Sequence, residues 1–343
     1  MRKTTLAAIA AMAGVSPATV SKVVNGRPDV APGTRARVER LLAEHGYARP
    51  RPQHRRAGLI DLVHADRPWA VEIMRGVADW SAAHETAIAV CPETGVDASC
   101  AGPRSARPES WTSAMASHGS RGVILVTFSG LTGDQLSQLR RAAIPVVVID
   151  AANAPPAGLP GVGATNWAGG LAATEHLLGL GHRRIAAITG PADLLCSRAR
   201  VGGYRSALDR AGIGFDPALL RYGDFHYAGG YLRAAELLDL PEPPTAIFAG
   251  CDEQAFGVLE AARTRGLRVP QDLSLVGFDG LPVTGWSSPP ITTVRQPLAE
   301  MGSVAAQMLA DLIGGNAPAP GRVELPTELI VRESTAPPAS TVR

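Results

Sequence analysis

The sequence predicts an N-terminal all-α helix-turn-helix unit joined to a larger α/β unit of two lobes, each built on a parallel sheet. Three observations predict this fold class. The chain has 343 residues, too many for one ordinary core, which indicates two or three domains. Apolar residues recur at helical spacing up to about Tyr47. From residue 58, short apolar runs alternate with amphipathic helical stretches in two similar series.

Two short helices and a tight turn are predicted near the N-terminus. Leu6–Met12 has the apolar spacing of the first helix. Gly14 fits the break, because glycine adopts a left-handed turn at the lowest steric cost. Ser16 is the predicted N-cap of a second helix, and Pro17 takes its first position, where no N–H is needed. This arrangement is typical of a DNA-binding helix-turn-helix whose second helix enters the major groove.

Two other interpretations of this segment remain. A compact helix pair of the same kind also occurs inside protein cores. The basic start MRK, the apolar run 6–14 and the small residues that follow also fit a secretory signal peptide. The run is short and rich in alanine, and a capped helix explains the residues after Gly14 better than a cleavage site does.

A third helix is predicted at 34–44, with Val38, Leu41 and Leu42 as its apolar stripe and Gly46 at its end. We expect it to pack on the first two helices. The predicted boundaries are therefore a helix-turn-helix domain at 1–47, a basic linker at 48–57, a two-lobed domain at 58–334 and a disordered tail at 335–343.

Charge is distributed unevenly along the chain. Residues 1–57 hold 11 Lys/Arg and 3 Asp/Glu, a net of +8, whereas the remaining residues hold 22 and 28, a net of −6. A small basic module on a mildly acidic body suits phosphate binding, because affinity for DNA comes largely from counterion release. A solvated basic tail is the alternative, and the helical pattern of the same segment argues against it.

Composition excludes several other classes. The sequence contains no run of about 18 uncharged apolar residues, so no membrane-spanning helix is predicted. The four cysteines lack C-x-x-C spacing, so neither a zinc site nor a disulfide framework is expected, and a reducing, cytoplasmic compartment is favoured. The sequence also lacks the G-x-x-x-x-G-K-[ST], H-E-x-x-H and G-x-S-x-G motifs. We therefore expect no catalytic residues, no cofactor and no metal.

The pattern from residue 58 onward predicts two series of alternating strands and helices. Short apolar runs that alternate with helices indicate parallel sheets covered on both faces. The predicted strands are 58–63, 86–91, 122–128, 145–150, 183–190, 245–250 and 273–280, and the predicted helices lie near 70–83, 134–142, 167–180, 198–211, 227–239 and 253–265.

The N-terminal motif GVSPATVSKVVNG (14–26), followed by TRARVERLLAEHGY (34–47), resembles the headpiece of the LacI-type (lactose repressor/galactose repressor) family of bacterial transcription regulators. The segments 179–191, 244–280 and 289–297 resemble that family's sensor, in the expected order. The resemblance implies a type I periplasmic-binding-protein fold, a homodimer on palindromic operator DNA, and a small-molecule effector, favoured to be a sugar, between the lobes. It implies no membrane partner.

The resemblance also implies DNA-contacting positions. Pro17, Ala18 and Lys22 match base-reading positions, and a lysine can donate to guanine O6 and N7. Tyr47 matches a tyrosine that either contacts phosphate or packs. The remaining expected contacts are Thr5, Ser16, Thr19, Ser21, Asn25, Arg49, Arg51, Arg55 and Arg56.

The effector site is expected where strands end, because ligands of open α/β sheets bind outside the carboxyl ends of strands. Arg200, Asp252 and Asp279 each follow such a strand. By resemblance, Arg200 and Asp279 match the family's ligand-binding pair, Asp252 a supporting polar position, and Trp69 and Phe225 aromatic positions. Alternatively, Asp279 caps a turn and Arg200 only pairs with it.

Two further residues bear on this site. Trp286 is expected to pack. Leu194 stands where purine-sensing relatives carry a second arginine, which argues against a purine or anionic effector.

The sequence therefore predicts a sugar-responsive transcription regulator, a repressor acting as a dimer. An extracytoplasmic sugar-binding protein with the same lobes is the alternative, and an enzyme on an α/β scaffold has no support beyond the fold class.

The linker ARPRPQHRRA (48–57) departs from the family pattern, because its prolines disfavour a helix and it has no A-R-x-L hinge motif. Its four arginines either track phosphates or only tether the domain. If they bind phosphates, replacing Arg49, Arg51, Arg55 and Arg56 by Gln will flatten the salt dependence of DNA binding. Fluorescence anisotropy across a salt series measures this slope, and an unchanged slope identifies a tether.

Overall fold

The computed structural model contains two compact units, residues 1–57 and residues 58–343. Each unit is described by itself. The structure describes residues 6–24, 30–45, 59–64, 67–92, 112, 115, 119–126, 131–150, 159–316 and 321–339. The predicted linker lies outside these ranges.

The N-terminal unit contains α1 (Leu6–Ala13), α2 (Pro17–Val24) and α3 (Pro32–Glu44). Gly14 has φ +65°, as the predicted turn requires. The Ser16 hydroxyl caps α2 by accepting a hydrogen bond from the Thr19 amide at 3.2 Å. Helix α3 begins earlier than predicted, at Pro32, because proline suits a first helical position. The three helices share an apolar core of Ile9, Ala10, Ala13, Val20, Val23, Val30 and Val38.

The C-terminal unit contains two lobes, each built on a six-stranded sheet within the described residues. The strands of the first sheet are β1 (Leu59–His64), β2 (Ala87–Pro92), β3 (Gly122–Val126), β4 (Val146–Ile149), β5 (Gly161–Ala164) and β11 (Arg322–Leu325). Their order is β11-β5-β4-β3-β1-β2, and the sheet is parallel throughout.

The second sheet has the order β12-β10-β9-β8-β6-β7, and only β12 among these strands runs antiparallel to its neighbour. Its strands are β6 (Ile185–Thr189), β7 (Leu220–Tyr222), β8 (Ala246–Ala249), β9 (Ser274–Asp279), β10 (Thr292–Arg295) and β12 (Glu328–Ile330). The central strands of both sheets are buried along their whole length, which explains their continuous apolar runs.

Helices cover both sheets. Those of the first lobe are α4 (Pro68–Ala83), α5 (Gly133–Arg141) and α10 (Leu298–Ile313). Those of the second are α6 (Asn166–Gly179), α7 (Leu195–Arg210), α8 (Tyr227–Leu238) and α9 (Asp252–Thr264). No helix in the described ranges has the length and apolar character needed to cross a membrane.

The chain passes between the lobes at short crossovers. Thr165 joins β5 to α6, Gln296 and Pro297 join β10 to α10, and residues 326–327 join β11 to β12. The Thr165 hydroxyl accepts a hydrogen bond from the Thr327 amide at 2.9 Å, so two crossovers are bonded to each other. These crossovers bring Asn166 and Gln296 next to the ends of the central strands.

The sequence interpretation missed several elements and made one error. It did not identify β5, whose sequence GVGA is poor in strand-forming side chains, nor β7, β10, β11, β12 and α10. The predicted disordered tail is wrong at Thr335 and Ala336, which contact the second lobe. The Ala336 carbonyl accepts a hydrogen bond from His182 Nε2 at 2.9 Å, and Thr335 is 2.9 Å from His176 Nε2. These contacts hold a segment whose composition alone suggests disorder.

Candidate functional site

The N-terminal unit presents a two-faced second helix. Val20 and Val23 are buried in its core, whereas Pro17, Ala18 and Lys22 are exposed on the opposite side. Helix α2 therefore has a packed side and an exposed side. The exposed side chains form a short basic and apolar surface of a size that fits the major groove.

The other predicted DNA contacts divide into two groups. Ser16 is exposed, and its hydroxyl lies 2.9 Å from that of Thr19, so both groups also stabilise the start of α2. Ser21 is half-buried. The remaining positions lie outside the described residues: Thr5, Asn25, Tyr47, Arg49, Arg51, Arg55 and Arg56.

The C-terminal unit contains a cavity between its two lobes. The first lobe contributes Pro68, Trp69 and Asp150. The second lobe contributes most of the polar and thiol groups, and the β10–α10 crossover contributes one amide. The lining residues of the second lobe and of this crossover are Cys196, Arg200, Phe225, Cys251, Glu253, Asp279, Leu281 and Gln296.

Arg200 on α7 is the buried cation of this cavity, with 3 % of its surface exposed. Its Nε donates to the Asn166 side-chain oxygen at 2.8 Å, and its Nη1 donates to the Gly250 carbonyl. Nη1 also lies 3.8 Å from Asp279 Oδ1. The guanidinium stacks 3.7 Å from the centre of the Phe278 ring, which adds a cation–π contact. These contacts hold the charge in one orientation.

Asp279 ends β9 and has an unusual backbone, with φ +109°. Its Oδ1 accepts a hydrogen bond from Gln296 Nε2 at 2.8 Å. Burial raises the pKa of Asp279 to about 7, although Arg200 and the Gln296 hydrogen bond act in the opposite direction. Desolvation therefore outweighs the ion pair at this carboxylate.

Asp150 is an acidic residue of the cavity that the sequence interpretation missed. It follows β4, has φ +50° and is buried. Burial raises its pKa, and the positive charge of Arg200 lowers it. The rule that identified Asp279 would also have identified Asp150, because PVVVID ends in a carboxylate after a buried strand. Asp150 and Asp279 thus approach Arg200 from opposite lobes.

Two aromatic side chains form walls of the cavity, as predicted. Trp69 lies in the first turn of α4, and Phe225 precedes α8 with φ +65°. Gly190 makes room for the Phe225 ring, because a Cβ at this position would lie 2.0 Å from it. The Arg200 guanidinium lies 5.7 Å from the Phe225 ring centre.

Two sequence-based assignments need correction. Asp252 does not line the cavity: its carboxylate accepts hydrogen bonds from the Leu281 amide at 2.7 Å and the Thr293 hydroxyl at 2.6 Å. Burial, with the nearby Asp279 charge, raises its pKa well above the usual range. Asp252 therefore fixes the loop after β9. Trp286 is 80 % exposed, so the expected packing is also wrong.

The cavity is small, with a volume of about 20 Å³. A single water needs roughly 10–15 Å³ by this kind of measure, so the space holds about one water. Polar groups from both lobes and two aromatic faces therefore surround this space. These polar groups can accept hydrogen bonds from hydroxyl groups of a ligand and donate hydrogen bonds to them, while the aromatic rings cover an apolar face of the ligand.

Comparison with known proteins gives matches along most of the chain. Residues 5–50 match "Bacterial regulatory proteins, lacI family", and residues 174–335 match a periplasmic binding protein-like domain. The HTH-type transcriptional regulator CelR of Thermobifida fusca is 36 % identical, over 97 % of this chain and 98 % of that protein.

Two solved structures extend this similarity. A CelR–cellobiose complex is 35 % identical, with a TM-score of 0.71, over 96 % of this chain and 99 % of that chain. A lac repressor dimer, bound to operator and to the anti-inducer ONPF, is 27 % identical, with a TM-score of 0.69, over 98 % and 100 % of the two chains.

The raised pKa of Asp279 predicts a pH-dependent stability. Between about pH 4 and pH 7 the folded chain keeps a proton that the unfolded chain, with a pKa near 3.8, has released. The free energy of unfolding should therefore fall as pH rises through this range. Asp279→Asn removes this contribution, so its urea-unfolding free energy should depend less steeply on pH than that of the wild type. Equal slopes would contradict the assignment.

Proposed function

Because the chain belongs to the lacI family of bacterial regulatory proteins, we propose that it represses transcription and that a small sugar in the interlobe cavity controls its operator affinity. The observation that carries the effector class is the arrangement of Asp150, Arg200 and Asp279 beside Trp69 and Phe225. The CelR–cellobiose complex of a similar chain supports the same class of ligand.

A neutral polyol fits this arrangement for electrostatic reasons. Carboxylates accept hydrogen bonds from hydroxyl groups, and the guanidinium donates to hydroxyl oxygens; charge-assisted bonds of this kind are the stronger ones. An anionic ligand would meet the side-chain oxygens of Asp150, Asp279 and Glu253 around a guanidinium whose Nε and Nη1 already bond Asn166 and Gly250. Leu194, which packs with Phe225, provides no further positive charge. We therefore infer a neutral sugar rather than a purine or a sugar phosphate.

The proposed control of DNA binding rests on thermodynamic linkage between ligand binding and the arrangement of the lobes. The cavity walls come from both lobes, so a ligand that binds one arrangement of the lobes better shifts the population toward it. We propose that this shift changes the spacing of two headpieces in a homodimer, and hence the affinity for a palindromic operator. The operator-bound lac repressor dimer supports this arrangement.

DNA-binding regulation favours the cytoplasm, where the operator lies, and we propose no catalytic role. The alternative is an extracytoplasmic sugar-binding protein. The exposed Pro17, Ala18 and Lys22 on a capped recognition helix favour the regulator, because a transport protein has no use for such a surface.

Selection of genomic DNA fragments by the purified full chain tests this function. We expect recovery of a palindromic sequence that binds with high affinity, and release of that sequence by at least one member of a neutral saccharide panel. Enrichment of no sequence would overturn the DNA-binding proposal. Specific binding without any saccharide response would overturn the effector class alone.

The recognition helix predicts a base-specific effect of Lys22. Lys22→Ala should cost about 1–3 kcal/mol on the selected operator and relax one base position, because a lysine can donate to guanine. Arg40→Ala is the matched control, since it removes an exposed positive charge from α3 instead. Anisotropy on operator and random DNA measures both variants. An equal loss on the two DNAs would identify Lys22 as a phosphate contact.

The effector cavity predicts loss of response without loss of DNA binding. Arg200→Ala and Asp279→Asn should each weaken sugar affinity roughly ten- to a hundredfold, because each removes a charge-assisted hydrogen bond. Arg205→Ala is the control, since Arg205 lies on the same helix and stacks on Phe215 at 4.0 Å. Operator anisotropy with and without saccharide gives the result. A normal response in both variants would exclude these residues from the site.

A further inference from the structure

Two short segments from opposite lobes meet at the edge of the cavity. In the first lobe, Arg67 directly precedes Pro68 and Trp69, which line the cavity at the start of α4. In the second lobe, Phe225 lies between Asp224 and His226, directly before α8. Pro68, Trp69 and Phe225 form walls of the cavity. Their neighbours in sequence, Arg67, Asp224 and His226, are polar. A bond between these polar neighbours therefore restrains the distance between the walls.

The Arg67 guanidinium contacts three groups of the second lobe. Its Nη1 donates to His226 Nδ1 at 2.5 Å and lies 3.5 Å from Glu253 Oε2. Its Nη2 donates to the Asp224 carbonyl at 3.1 Å. The guanidinium therefore ties the start of α4 to the segment before α8 and to α9. We refer to Arg67, Asp224, His226 and Glu253 as the clasp.

The second-lobe side of the clasp is itself ordered. The Asp224 side chain accepts a hydrogen bond from the His226 amide at 2.9 Å, which closes a tight turn around Phe225. The side chain of Arg67 is only 11 % exposed, so its bonds are poorly screened by solvent. These features make the clasp more than a loose surface ion pair.

The clasp closes the lobes over a space that is too small for a sugar ring. The cavity volume of about 20 Å³ accommodates roughly one water. Trp69 and Asp150 bound it from one lobe, and Phe225 and Asp279 from the other. A ring can enter only if these walls move apart, and such movement must lengthen the bonds of Arg67.

We propose that Arg67 is a gating residue of the effector site: its clasp holds the lobes in a closed, ligand-excluding state that must open before an effector enters. That the cavity binds an effector rests on the proposed function, whereas the opening of the two lobes does not. A protein that binds only when open has its apparent affinity reduced by the closed fraction. Weakening the clasp should therefore make the cavity easier to enter.

The chain contains its own reporters of opening. Cys196 and Cys251 are buried and line the cavity. In the full-length protein with Cys91→Ser and Cys100→Ser, alkylation of these two thiols by iodoacetamide follows access to the cavity. Mass spectrometry assigns the modified residue. The measurement needs no effector.

Arg67→Gln in this background should accelerate alkylation of Cys196 and Cys251 at least about tenfold, which corresponds to 1.4 kcal/mol. Arg67→Lys should give an intermediate rate, because lysine keeps the charge but cannot make all the bonds. Arg75→Gln is the matched control, because Arg75 lies on the adjoining helix α4, is exposed and pairs with Glu72 at 2.7 Å. Its rate should equal that of the parent protein.

A second variant tests the clasp from the other lobe. His226→Ala should also accelerate alkylation, and the Arg67→Gln, His226→Ala double variant should be slower than the product of the two single effects predicts. Rates that are unchanged in Arg67→Gln would overturn the proposal. So would acceleration that rises with low urea as steeply as global unfolding does, because the thiols would then be exposed by unfolding.

Protection experiments separate this proposal from the sugar-binding function. Glucose and cellobiose are added to the parent protein as probes. Protection of the two thiols supports a sugar in the cavity. If neither sugar protects while Arg67→Gln still reacts faster, the gate stands and the effector class does not.

Discussion

The Arg200 guanidinium is the group on which the arrangement of the interlobe cavity depends. A buried cation is tolerated only when its donors are satisfied and its charge is paired. Asn166, Gly250 and Asp279 meet this requirement from α6, the end of β8 and the end of β9. Removing any of these partners leaves an unpaired group in the interior. The positions of four segments of the second lobe are therefore linked through one side chain.

Backbone packing makes this arrangement possible. Helices α6 and α7 approach so closely that a Cβ on Gly170 would lie 2.3 Å from the Arg200 carbonyl oxygen. A Cβ on Gly203 would lie 2.1 Å from the Trp167 carbonyl oxygen. Asn166, which bonds Arg200, directly follows the first crossover, and Gln296, which bonds Asp279, lies in the second. The charged groups that line the cavity are thus hydrogen-bonded to residues at the crossovers between the lobes.

The sequence was sufficient for most of the fold and for part of the site. Periodicity identified most of the buried central strands and the helices between them, because apolar runs and amphipathic stretches are local features, but it missed the interior strands β5 and β10. Short edge strands such as β7 and β12 carry little local pattern, since their positions depend on neighbouring strands. The ends of strands indicated where the charges lie. They could not show which way each side chain turns, because this depends on contacts between distant segments.

The three aspartates illustrate this limit. Asp150, Asp252 and Asp279 all follow or end buried strands, and the same sequence rule applies to each. Asp252 bonds the Leu281 amide and the Thr293 hydroxyl, so its acceptors are used inside the second lobe. Asp150 and Asp279 instead reach the cavity. The difference arises from tertiary partners, which no spacing in the sequence reveals.

Backbone strain at the cavity shows what this organisation costs. Asp150, Phe225 and Asp279 all have positive φ, which is unfavourable for residues with a Cβ. They line the same cavity, and two of them also carry raised pKa values because of burial. The cavity is therefore maintained against local strain and desolvation by the packing of two cores and by polar contacts between the lobes. A ligand that supplies hydroxyl groups to these carboxyl groups would offset part of this desolvation.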